Sequence, residues 1–142
     1  MICYFDTSAL VPLLTREPGT PTATILWEVA DRVLSSELSY VEAAAALAQA
    51  RRLGRLDAQA HAGALASLDL LHNALELVEV SEMVVRRAGV LAHELALRSY
   101  DAVHCASAEQ LDVPDLVVAS GDQLLLKACA ELGMATADTS QR

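Results

Sequence analysis

The sequence predicts an α/β domain in which a parallel sheet is covered by helices on both faces. Three observations carry this. Short apolar runs rich in β-formers alternate along the whole chain with stretches of helical period. The clearest of those runs are continuously apolar, as strands buried on both faces are. The chain has 142 residues, 54% of them hydrophobic, enough for one domain (residues 1–142) with a substantial core.

The elements follow in order. Ile2-Cys3-Tyr4-Phe5 is too short for a helix and ends in Asp6, which makes it a buried first strand. Leu10 to Leu14 form a short helix closed by Glu17-Pro18-Gly19. Thr20-Pro21 predicts a helix start, with Thr20 as N-cap and Pro21 in the first position. Val33 to Ser36 is a second strand. Ser39 opens an Ala-rich helix that stops at Gly54, and Asp57 opens another carrying Ala58, Ala62, Leu65 and Leu68 at helical spacing. Leu77 to Val80 is a third strand. Ser81 caps a helix with Val84, Ala88, Leu91 and Leu95 inward, and Ser99 opens the next. Leu116 to Ala119 is the fourth strand, Asp122 opens a helix ending at Gly133, and Met134 to Ala137 is a fifth strand. Thr139 to Arg142 read as a polar tail. Two helices lie between the second and third strands where one would suffice. That pair is expected to protrude and to offer a surface to a partner.

Several function classes are disfavoured. No apolar run is long enough to span a membrane, and the opening residues lack the basic region of a signal peptide, so a soluble cytoplasmic protein is expected. Cys3, Cys105 and Cys129 fit no zinc spacing and read as small buried hydrophobes. A net charge of −9 argues against gripping nucleic acid through a broad basic face. It does not argue against an acidic pocket neutralised by divalent cations.

Four acids occupy equivalent places. Asp6 ends the first strand. Glu42 and Asp101 lie in the first turns of their helices. Asp122 follows the fourth strand and opens a helix. In an open α/β sheet, the carboxyl ends of strands and the N-termini of the following helices share one edge, where ligands bind. Hydrolysis of a phosphodiester requires charge stabilisation on the attacking and leaving oxygens, which a carboxylate-held pair of Mg²⁺ or Mn²⁺ ions can provide. Each acid also has a structural explanation. Ser39-x-x-Glu42 is a capping box, Asp122 is an ordinary N-cap, and Asp101 complements a helix dipole. The joint placement of all four on one edge favours a catalytic, metal-holding cluster.

The segments ICYFDTSALVPLL, LSSELSYVEAAAAL, LRSYDAVHCASA and VVASGDQLLLKACAELG, in this order and spacing, resemble the four landmarks of PIN domains, especially VapC-type toxins of bacterial toxin–antitoxin pairs. The resemblance covers nearly the whole chain. It implies a parallel five-stranded sheet flanked by helices, with Asp6, Glu42, Asp101 and Asp122 as the acidic metal-site residues and Ser8 and Ser120 as polar neighbours. It further implies a Mg²⁺- or Mn²⁺-dependent endoribonuclease, a homodimer, and inhibition by a cognate VapB-type antitoxin. The fourth landmark, Ser120-Gly121-Asp122, departs mildly from the Thr that many relatives carry there.

Outside the acids, His104 lies three residues after Asp101 and is a candidate RNA contact, though a partly buried helix residue is the plainer reading. Arg98 adjoins the Ser99–Asp101 segment and can reach a phosphate. Arg51, Arg52 and Arg55 lie too far down their helix from Glu42 to line the same pocket, and suit either RNA farther along or a partner. A phosphoacceptor receiver fits poorly, because Asp6 stands alone and Lys127 is inside a helix; a haloacid-dehalogenase phosphatase would need an acid at Ser8. An RNA-processing nuclease without antitoxin, or a catalytically silent PIN binding module, are the alternatives.

Overall fold

The computed structural model describes residues 1–140. Five strands, β1 (Ile2–Phe5), β2 (Arg32–Ser36), β3 (Glu76–Val78), β4 (Leu116–Ser120) and β5 (Ala135–Asp138), form one parallel sheet in the order β3-β2-β1-β4-β5. The helices are α1 (Thr7–Leu10), continued by a 3₁₀ turn (Val11–Leu13), then α2 (Thr20–Val29), α3 (Ser39–Arg52), α4 (Ala58–Ala74), α5 (Glu82–Glu94), α6 (Ser99–Gln110) and α7 (Gln123–Glu131). The order reverses at β1: the chain builds outward to β2 and β3, then returns to lay β4 and β5 on the other side. That reversal places a crevice beyond the carboxyl ends of β1 and β4.

The two-residue period of β1 divides the interior. Tyr4 faces α5, α6 and α7 with Val84, Leu91, Cys105 and Leu125, while Cys3 and Phe5 face α1 and α2 with Ala9 and Leu10. Phe5 meets Trp27 edge to face, with ring centroids 6.0 Å apart. The α3–α4 pair has a small core of its own, built on Ala43, Leu47, Ala64 and Leu68. It reaches the sheet layer through Leu71 and Leu75 near the end of α4. All three cysteines are buried and free. Cys105 and Cys129 face each other across the α6–α7 contact, with sulfurs 3.8 Å apart.

Three local expectations are corrected. Gly19, not Thr20, is the N-cap of α2; the Thr20 hydroxyl instead accepts from the Glu17 backbone N–H and donates to the Pro12 carbonyl. The Ser39–Glu42 capping box does not form: Leu38 is the N-cap of α3, and the Ser39 hydroxyl bonds with that of Ser35. Thr139 is not tail but 1% exposed, its N–H donating to the Ser120 carbonyl and its own carbonyl lying where a Cβ on Gly19 would stand, at 2.2 Å. Of the expected tail, Gln141 and Arg142 lie outside the described residues. Among the described residues, no helix is long and apolar enough to cross a membrane.

Candidate active site

Asp6 follows β1 because the sheet ends there. Its carboxylate caps α1 by accepting from the Ala9 backbone N–H at 3.0 Å. The side chain is more than a cap. Ser8 donates to both carboxylate oxygens at 2.8 and 3.0 Å, and Ser120, at the end of β4, donates to Oδ2 at 2.8 Å. Asp6 is 3% exposed. Burial pushes its carboxyl pKa up, against the opposing pull of His104 and the two serines. The same serines tie the next loop down: Ser8 accepts from the Gly121 N–H and Ser120 from the Asp122 N–H.

Asp122 has two jobs, one for each oxygen. Oδ1 caps α7 by accepting from Leu124 and Leu125 N–H, while Oδ2 faces Arg98 at 3.0 Å. Asp101, in the first turn of α6, meets the same guanidinium at 3.1 Å. Arg98 thus bridges the two acids with an exposed side chain, a weak and displaceable tie.

Glu42 is freed for the site by the failure of its capping box. Its Oε1 accepts from the Thr7 hydroxyl at 2.9 Å and lies 2.8 Å from His104 Nε2. On the far side of the ring, His104 Nδ1 lies 2.8 Å from the Tyr4 hydroxyl, which is wholly buried. A carboxylate can only accept, so Nε2 carries the proton and Nδ1 accepts from Tyr4. His104 is 3% exposed. Its two nitrogens are engaged by protein groups, so the ring acts by positioning Glu42 rather than by reaching outward. Thr7 and Tyr4 were missed in the sequence, since nothing local marks a partnership across 97 or 100 residues. Tyr4→Phe is expected to cost about 1–3 kcal/mol by stranding a buried acceptor. It should also let the ring proton move between nitrogens, which long-range ¹H–¹⁵N spectra of His104 would reveal.

Asp6, Glu42, Asp101 and Asp122 therefore line one crevice of about 370 Å³, with Ser8, Arg98 and His104 in its walls. The donor set is all carboxylate oxygen at its centre, the chemistry a hard divalent cation requires. As placed, no three His, Cys, Asp or Glu side chains among the described residues close on a single ion. The Arg98 guanidinium and the His104 N–H hold three of the acids instead. The buried Asp6 is held by hydroxyl and backbone N–H donors and has no cation in contact.

Comparison with known proteins adds to this geometry. The family model of the PIN domain matches residues 3–138. The chain is 44% identical over 124 residues to Ribonuclease VapC45 of Mycobacterium tuberculosis, covering 87% of this chain and 86% of that one. Two solved structures share the fold. One is M. tuberculosis VapC20, described as a sarcin–ricin loop cleaving toxin, with TM-score 0.66, 18% identity and coverage of 94% and 96%. The other is a toxin–antitoxin complex from Klebsiella pneumoniae, with TM-score 0.68, 16% identity and coverage of 99% of each chain.

Proposed function

Because the chain belongs to the PIN-domain family, alongside the VapC ribonucleases, we propose that it is the toxin of a VapBC-type pair, an endoribonuclease acting in the cytoplasm. The single observation that supports this most is the convergence of Asp6, Glu42, Asp101 and Asp122 on one crevice from four separate elements. Helix capping accounts for Asp122 and for part of Asp6, but not for Glu42, whose carboxylate is turned away from its own helix start.

Mg²⁺ or Mn²⁺, held by these four acids, would supply positive charge at the phosphate undergoing hydrolysis. The chain's own residues do the rest. Ser8, Ser120 and the Ala9 N–H fix the Asp6 carboxylate, the most buried of the four acids, at the floor. Thr7 and His104 fix Glu42 from the opposite wall. Arg98, the exposed cation at the mouth, exchanges its carboxylate partners for a backbone phosphate of RNA as the crevice fills. The chain acts as a homodimer, and a VapB-type antitoxin silences it.

Two measurements test this reading. Purified protein should cut labelled RNA with Mg²⁺ or Mn²⁺ and not in EDTA; full activity in chelator would defeat it. Co-expression with the product of the adjacent small gene should give a stable complex without nuclease activity, and free and complexed growth phenotypes should differ accordingly.

A further inference from the structure

A second cavity, of about 420 Å³, adjoins the carboxylate crevice. The two share Val11, Glu17 and Ala46 as common wall, so they form one continuous trough. The chemistry changes along it. The crevice is acidic; the second cavity has Leu47 and Leu56 among its lining residues, with Arg16, Arg55 and the Gln49 amide at its sides. Among the described residues, neither Arg16 nor Arg55 has a carboxylate within ion-pair distance; Arg51 and Arg52 at the end of α3 share that lack, while Arg32, Arg86, Arg87 and Arg98 are paired. Glu17, at the junction, is engaged by the Thr15 hydroxyl at 2.6 Å. In a chain of net charge −9, two guanidinium groups without a carboxylate partner give this cavity a positive side that the crevice lacks.

An occupant of the whole trough must suit carboxylates with their metal at one end, then present negative charge to the arginines and a flat apolar face to the pocket. A single-stranded polynucleotide does this by construction, with a phosphate and a base at each repeat. We propose that the second cavity is the subsite for the nucleotide next to the scissile phosphate, its base against Ala50 and Leu56 and its far phosphate on Arg16 and Arg55. The inference rests on the ribonuclease reading and adds where the substrate lies. It also gives Arg55, too distant from Glu42 to reach the acids, a place on the same path.

The test uses the full chain carrying Asp6→Asn, in Mg²⁺, with a short fluorescein-labelled single-stranded RNA of mixed sequence. Binding is read by anisotropy against salt. Adding Arg16→Gln and Arg55→Gln should weaken binding roughly tenfold and make the log–log salt slope shallower by about 0.7, the loss of one neutralised phosphate on a single strand. Ala50→Phe, which fills the cavity, should weaken binding several-fold with the slope unchanged. Arg86→Gln, on a distant helix and paired with Glu82, should change neither. An unchanged slope in the double variant overturns the phosphate assignment, and unchanged affinity in Ala50→Phe overturns the base pocket. Loss of the co-expressed small protein with RNA binding intact would make the cavity a protein site and equally overturn it. If wild-type protein cleaves no RNA and the parent variant binds none, the ribonuclease reading itself has failed. Cleavage by the wild type with a silent double variant removes the subsite alone.

Discussion

Asp6→Asn should abolish RNA cleavage, by on the order of a hundredfold or more, while leaving the metal-free fold as stable or more so. The amide keeps an oxygen for the Ala9 N–H, and the Ser8 and Ser120 hydroxyls can rotate to accept from its nitrogen. What disappears is a carboxylate that is 3% exposed and whose pKa burial raises. The pH dependence follows from that direction. In acid, below the carboxyl's unfolded pKa, Asp6 is protonated in both states and costs nothing. As pH rises through its higher folded value, the native state must ionise a buried group that the unfolded chain ionises more easily, and stability falls. Wild-type protein without metal should therefore lose stability relative to Asp6→Asn as pH rises through that window. Paired melting curves across pH in EDTA would show it. A variant that melts lower than wild type at neutral pH would mean that Asp6 is scaffolding.

The second large effect separates metal holding from helix capping. Saturating Mg²⁺ at about 100 times its dissociation constant should stabilise the wild type by about 2.7 kcal/mol, a melting shift of several degrees. Asp122→Asn should shrink that shift and slow cleavage. Its metal-free melting temperature should hardly move, since Asn caps α7 as well as Asp and keeps an acceptor for the Leu124 and Leu125 N–H groups. Asp101→Asn has no capping bond to lose and should act in the same direction with a larger loss of activity. Differential scanning fluorimetry with and without Mg²⁺, beside cleavage rates on labelled RNA, checks both. Variants that unfold yet keep full specific activity when folded would assign these acids to scaffolding.

Much of this was legible in the sequence because the determinants are local. Ile2–Phe5 and Leu116–Ser120 announce buried strands by composition, and Asp57, Ser81 and Asp122 cap the helices their spacing predicts. The convergence of four acids on one edge followed from alternating strands and helices alone. Tertiary partners decided the rest. Ser39 and Glu42 have the spacing of a capping box, yet Ser35 and His104 offer each of them a closer buried partner, so the local motif loses. Thr20 is drawn from its cap position by the Pro12 carbonyl. Thr139 has the composition of a tail but sits beneath Ser120 and against Gly19. The Tyr4–His104–Glu42 chain joins residues from β1, α6 and α3, and no window of sequence contains it.

The reversal of strand order at β1 also sets when the site can exist. The central strand is made first, but one of its two neighbours, β4, is Leu116–Ser120. Until that segment is made, Asp6 lacks Ser120, and Asp122 follows only two residues later. At about 5–20 residues per second, the lag between the synthesis of Asp6 and that of Asp122 is roughly 6 to 23 seconds. A nuclease wired in this way is unarmed until the segment that carries Ser120 and Asp122 has been made.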